Sequence, residues 1–312
     1  MNDLPFSGAT LAGHDVTKVL VAVRQLCWEA AAILRAYARG ETPPFGYPPI
    51  LSVDDDPKGP VTAADLAVNE HLIKGLQGAF PEANWAILSE ETTGQWPPDQ
   101  AIANDWLWIL DPLDGTKDFL QGTGEYAVHL ALVHQQRPAL GVVLLPELDE
   151  LWIGWIDPRG IKPPVAWREA PDGEQQPPCL SSRTALSSLV PVTSRSHRDN
   201  RLEQLMAALP ISSGIARGSV GGKVASILRG ETDLYISLSG KTAPKDWDMA
   251  APEAVLLAAG GAFTHADGQP LLYNTGDFRQ AGCLIASHGP AHKLLCEAAA
   301  AAMARIDPEA AL

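Results

Sequence analysis

Apolar residues recur at three- and four-residue steps from position 16 to 38, with Val19, Val23, Leu26, Ala30, Ile33 and Leu34 along one side. That period predicts an amphipathic helix. A second helix is predicted over 63–80, with Thr62 as its cap and Leu66, Ile73 and Leu76 facing inward. The pattern then changes to short apolar runs. Residues 85–88 and 105–110 read as strands, and 126–133, 140–145 and 151–156 as a meander joined by short turns. Residues 40–60 are rich in Pro and Gly and carry Asp54-Asp55-Asp56, so they read as a mobile, acidic loop.

From 157 to 191 the composition turns to Pro, Gly, Ser and charge, which marks a boundary between two halves, 1–189 and 190–312. The second half alternates. Strands are predicted at 190–193, 233–237 and 283–286, and helices at 200–209, 221–229, 250–259 and 290–305. No segment repeats. This mixed order predicts an α+β or layered α/β fold.

At 312 residues, 46% of them hydrophobic, the chain can bury a substantial core. Its net charge of −14 argues against a duplex nucleic-acid binder, which needs a basic footprint. It leaves room for a small phosphorylated substrate, because a few cations can reverse the sign within a cleft. The four cysteines, Cys27, Cys179, Cys283 and Cys296, have no paired spacing. No basic-then-apolar leader follows Met1, and no apolar run approaches the roughly 18 residues needed to cross a bilayer. The expectation is a cytoplasmic protein without membrane contact, and the sequence leaves open whether it is a monomer or a homodimer.

The chemistry concentrates in Trp108-Ile109-Leu110-Asp111-Pro112-Leu113-Asp114-Gly115-Thr116-Lys117-Asp118. An apolar strand there delivers two carboxylates three positions apart and breaks on Gly-Thr. A diacid beside an amide-rich turn suits metal-assisted hydrolysis of a phosphate ester. Further acids sit at segment ends: Glu90 and Glu91 after one strand, and Asp248 within Trp247-Asp248-Met249-Ala250-Ala251. Oxygen ligands of this kind select Mg²⁺ or Mn²⁺ over zinc. Taken singly, each such Asp also reads as a turn former or helix cap.

Taken together, Asp111-Pro112-Leu113-Asp114-Gly115-Thr116, Trp247-Asp248-Met249-Ala250-Ala251 with Ala259-Gly260-Gly261, Pro60-Val61-Thr62-Ala63-Ala64-Asp65 and Leu88-Ser89-Glu90-Glu91 resemble the signatures of the inositol monophosphatase superfamily. These are lithium-sensitive, magnesium-dependent phosphatases, and the matches keep the superfamily's order. The resemblance implies a layered αβαβα fold with two sheets between helix layers. It implies two or three Mg²⁺ ions (Mn²⁺ as an alternative) on Glu90, Asp111, the Leu113 carbonyl, Asp114 and Asp248. Asp65 and Thr116 would together help deprotonate a metal-held water, and the Gly115 and Thr116 amides would bind phosphate.

Lys117-Asp118-Phe119 and Val192-Thr193-Ser194-Arg195-Ser196-His197 resemble the 3′(2′),5′-bisphosphate nucleotidase branch of the CysQ type, which converts 3′-phosphoadenosine 5′-phosphate to AMP. Substrate contacts implied by that likeness are Ser194, Arg195, Ser196 and His197, then Gly218, Ser219 and Lys223, with Lys245 and Lys241 beside them. Lys58 stands closer to Pro60 than the superfamily's upstream lysine does. The alternatives are an inositol monophosphatase, a fructose-1,6-bisphosphatase-type sugar phosphatase, or a non-catalytic nucleotide or metal binder.

Overall fold

Alternation along the long strands sends side chains into two different layers. In the computed structural model, which describes residues 6, 8–56, 59–97, 99–195, 200–239 and 243–306, the helices are α1 (Val16–Ala38), α2 (Ala63–Ala79), α3 (Thr116–Leu120), α4 (Asn200–Ala208), α5 (Val220–Leu228), α6 (Asp246–Ala258) and α7 (His292–Ile306). The first strands form hairpins, β1 (Thr10–Leu11) with β2 (His14–Asp15) and β3 (Val53–Asp56) with β4 (Gly59–Thr62).

Seven strands form the first main sheet: β5 (Ala86–Ser89), β6 (Trp106–Asp114), β7 (Ala127–His134), β8 (Arg137–Leu145), β9 (Glu150–Trp155), β10 (Val165–Glu169) and β11 (Gln175–Gln176). They lie in simple sequence order, antiparallel except for the parallel pair of β5 and β6. Five more form the second: β12 (Pro191–Ser194), β13 (Ile215–Arg217), β14 (Leu234–Ser239), β15 (Ala262–His265) and β16 (Gly282–Ser287). Their spatial order is β13-β12-β14-β16-β15.

Three buried clusters bind these elements into five layers. Trp108, Leu110, Leu130 and Leu132 leave the first sheet toward Val19, Ile33 and Leu34 of α1 and Val68 and Leu72 of α2. Their neighbours Leu107, Ile109, Ala131 and Val133 leave the opposite face, toward α5 and α6. The second sheet closes over these helices with Val192, Tyr235 and Phe263. Its outer face carries Leu234, Ile236 and Ile285 against α4 and α7. The architecture is helix, sheet, helix, sheet, helix. Each fully buried Leu or Val contributes about 1.5–3 kcal/mol.

Several expectations are corrected. Residues 40–60 are not wholly loop: they contain a short 3₁₀ turn (Pro44–Gly46) and the β3–β4 hairpin, with Asp54–Asp56 in a strand. Leu66 is exposed rather than buried, because the inward stripe of α2 runs through Ala64, Val68, Leu72 and Leu76 in four-residue steps. The stretch 157–191, read as lacking regular structure, contains β10 and β11, which extend the first sheet. The charges of β10 concealed it: buried Glu169 pairs with Arg24 of α1 at 2.6 Å, and Arg168 with Glu150 at 2.9 Å. Strands β13 and β15 went unpredicted, and α6 starts at Asp246 rather than Ala250. Asp246 is fully buried yet satisfied from afar by the Asn274 amide and the Gln280 side chain, each at 2.7 Å.

Helix α6 lies on β8 and β9 through two glycines. A Cβ on Gly141 would sit 2.4 Å from Ala254 Cβ, and one on Gly154 would sit 2.5 Å from Val255 Cα. Gly141→Val is expected to destabilise the protein by about 1–3 kcal/mol through overpacking. Thermal or urea denaturation measures the loss, and an unchanged midpoint would refute this packing account.

Candidate active site

Strands β5 and β6 run parallel and end side by side, so the turns at their C-terminal ends meet at one edge. Glu90 opens a 3₁₀ turn capped by Ser89 at the end of β5. On β6, Asp111 faces the middle helix layer, fully buried, and its Oδ1 accepts the Leu113 amide at 3.0 Å. Its Oδ2 is buried and meets no donor among the described residues. Asp248, in the first turn of α6, arrives from the second half of the chain. Asp111, Asp114 and Asp248 offer oxygens that all lie within 4.8 Å of one another.

This crowding has an electrostatic signature. Burial, with the Asp248 charge adding to it, pushes Glu90 up to about 8. Burial and the Asp114 charge push Asp248 up to about 7. Burial, then the charges of Glu90, Asp114 and Asp248, hold Asp111 well above the carboxylate range. Four mutually repelling acids, one with an orphaned oxygen, fit a hard divalent cation, which takes oxygen ligands and removes the repulsion.

Asp65 is the third residue of α2 and sits in a capping box with Thr62: the Thr62 amide donates to its Oδ2 at 2.8 Å. Its Oδ1 lies 3.3 Å from the Thr116 hydroxyl, which also reaches the Leu113 carbonyl at 3.1 Å. That hydroxyl has one proton and two acceptors. Gly115, at φ +92°, turns the chain from β6 into α3, whose first amides have no acceptor within the helix. A Cβ here would press on the Glu125 carbonyl at 3.1 Å.

The other expected contacts fall around this edge with different roles in the packing. Ser194 is buried at the end of β12, and half-exposed Arg195 pairs with Glu125 at 2.8 Å. Gly218 donates its amide to Glu125 at 2.7 Å, and Ser219 caps α5 by accepting the Gly222 amide at 2.9 Å. Lys223 is buried and turns back onto the Gly218 carbonyl, its ammonium 5.1 Å from the centre of the Tyr235 ring. Lys245 precedes α6; its amide donates to Asp248 at 2.6 Å and its ammonium to the Ala243 carbonyl at 2.8 Å. So Asp248 is not the cap of that helix but its third residue, bonding back to the residue before it. Ser196, His197, Lys58 and Lys241 lie outside the described residues, as do the side chains of Asp54, Asp55 and Asp56.

Sequence reasoning missed two groups here: His129 beside Asp114, and Glu125 between Arg195 and Arg217. Neither carries a local motif, since each meets its partner across strands or halves. A cavity of about 650 Å³ lined by Asn84, Asn104, Gln135 and Gln136 opens at the other end of β6 and shares no residue with the carboxylates.

The αβαβα sandwich with acids gathered at one sheet edge agrees with a family of phosphatases. The chain belongs to the inositol monophosphatase family, whose model matches residues 15–304. It is 32% identical over 235 residues to the 3′(2′),5′-bisphosphate nucleotidase CysQ of Escherichia coli, covering 73% of this chain and 85% of that one. It is 34% identical over 220 residues to a 3′-phosphoadenosine 5′-phosphate phosphatase of Mycobacterium bovis, covering 68% and 72%. Among solved structures, an IMPase of Thermotoga maritima superposes with a TM-score of 0.69 at 20% identity over 93% of this chain and all of that one. CysQ of Bacteroides thetaiotaomicron superposes at 0.65, with 22% identity over 88% and 98%. The chain is a phosphomonoesterase by this membership. Among the described residues, no helix is long and apolar enough to cross a membrane.

The raised carboxylates fix the sign of a pH effect. Acids whose folded pKa lies above the unfolded value favour folding at low pH, and the metal-free protein loses that stabilisation as pH rises through 7 to 8. Mg²⁺ holds the deprotonated form, so the rise in melting temperature on adding Mg²⁺ is expected to be larger at pH 8.5 than at pH 6. Differential scanning fluorimetry at the two pH values measures it; an equal shift would count against the carboxylates as the metal site.

Proposed function

We propose that the protein is a Mg²⁺-dependent 3′(2′),5′-bisphosphate nucleotidase that converts 3′-phosphoadenosine 5′-phosphate to AMP and phosphate. The observation that carries the hydrolytic part is the meeting of Asp111, Asp114 and Asp248 within 4.8 Å, with an Asp111 oxygen that no donor satisfies among the described residues. The choice of substrate is supported by relatives of that activity at 32% and 34% identity.

Glu90, Asp111, Asp114, Asp248 and the Leu113 carbonyl would hold the cations. Bound there, divalent ions supply positive charge to the phosphate oxygens and make water a stronger acid. The chain itself handles the proton and the anion. The Thr116 hydroxyl, 3.3 Å from Asp65, would accept the hydrogen bond of the attacking water and pass its own proton to the Asp65 carboxylate as it takes the water's proton. The amides of Gly115 and Thr116 face the phosphate and balance charge that grows on its oxygens. Arg195, half-exposed and paired with Glu125, would exchange that partner for the second phosphate of a bisphosphorylated nucleotide.

A substrate panel tests the reading. With Mg²⁺ present, phosphate release is expected to be fastest from 3′-phosphoadenosine 5′-phosphate, ahead of inositol monophosphate and fructose 1,6-bisphosphate. Preference for inositol monophosphate would replace the nucleotidase reading with the other activity named among the structural neighbours. Binding without turnover would make the protein a sensor.

Two variants separate the roles. Asp111→Asn is expected to abolish turnover, and near-normal activity from a folded variant would refute the metal assignment. Thr116→Ala is expected to lower kcat by about 10²–10⁴-fold, the usual share of a positioned proton acceptor, with KM little changed. An effect confined to KM would place Thr116 in substrate binding instead.

A further inference from the structure

His129 is the third residue of β7, directly across from Asp111, with its side chain fully buried in the layer occupied by α5 and α6. Its Nε2 is 3.4 Å from Asp114 Oδ2. Neither ring nitrogen has a well-directed hydrogen bond among the described residues, although the Trp247 carbonyl of α6 also faces the ring. An unsatisfied imidazole in a dry core is costly unless the surroundings give it something to hold.

The backbone brings the pair together. Between Asp111 and Asp114 strand β6 is bulged: residues 111 and 114 pair with 129 and 127, so three steps on one strand oppose two on the other. The bulge leaves Asp114 beside His129 rather than one pleat further on. Helix α5 closes on the same oxygen, for the Val220 amide also donates to Asp114 Oδ2. The helix comes this near because residue 221 is glycine. A Cβ there would lie 2.5 Å from His129 Nε2 and 2.6 Å from Val143 Cγ1.

A neutral imidazole carries one N–H. Of the two acceptors around it, the charged carboxylate of Asp114 is the stronger. We propose that His129 is a positioning residue: its N–H, with the Val220 amide, fixes Asp114 Oδ2 from the protein side and aims the rest of that carboxylate at a divalent cation. The inference rests on the metal-site reading above. Groups behind metal ligands are worth about 10–100-fold in metal affinity.

The test reads metal binding directly, by calorimetric titration of the purified protein with Mg²⁺ and by electron paramagnetic resonance with Mn²⁺. His129→Leu fills the space without a donor and is expected to weaken binding by about tenfold or more. His129→Gln, which keeps an N–H, is expected to recover much of it, and KM for the phosphate ester at saturating metal is expected to stay near that of the unaltered protein. Gly221→Ala keeps the imidazole but forces it aside, and should weaken binding even if the Leu variant does not fold. Folded Leu or Ala variants that bind metal within twofold of the unaltered protein would overturn the inference alone. Equal losses in the Leu and Gln variants would reduce His129 to packing. Absence of Mg²⁺ binding by the unaltered protein at millimolar concentration would overturn the metal site and the inference with it.

Discussion

Acids brought close together in a buried edge repel one another, and that repulsion is the constraint around which this structure is organised. Asp111, Asp114, Asp248 and Glu90 meet where two parallel strands end, and burial makes their charges costly. A protein stable for its own sake would have no use for the arrangement. Local conflict of this kind is what a cation site requires, because a preformed set of oxygens has already met the cost of assembling the ligands.

The rest of the molecule supplies the force that holds the acids there. Asp248 comes from a helix contributed by the second half, so its placement depends on how α6 lies on the first sheet. Glycines at 141 and 154 set that distance. A buried link sets the orientation: Glu253 of α6 is fully enclosed, paired with Arg137 at 2.7 Å and bonded by the Tyr273 hydroxyl at 2.5 Å. Breaking one partner of such a link leaves an uncompensated charge inside the core, which resists sliding of the helix along the sheet. Asp65 is held in another way, by the capping box that starts α2.

Much of the fold was legible because its periodicities are strong. Helix α1 and the three strands of the meander stand nearly where apolar spacing puts them. The failures have a common cause. Strand β10 and the start of α6 carry buried Glu169 and Asp246, which look like surface residues in sequence because their partners, Arg24 and Asn274, are distant along the chain. Leu66 failed for the opposite reason. It is apolar, but the stripe of α2 passes beside it.

Local pattern was enough to read the chemical parts: strand ends carrying Glu90, Asp111 and Asp114, a helix start carrying Asp248, a Gly-Thr turn, and a capped helix carrying Asp65. These are short-range features, readable because a turn or cap is dictated by residues within a few positions of it. Tertiary structure alone decided which oxygens face one another, that Lys223 folds back onto a carbonyl, and that His129 stands behind Asp114. Those outcomes depend on strand register, a bulge and the approach of one helix, and each is the sum of many distant contacts that no local pattern records.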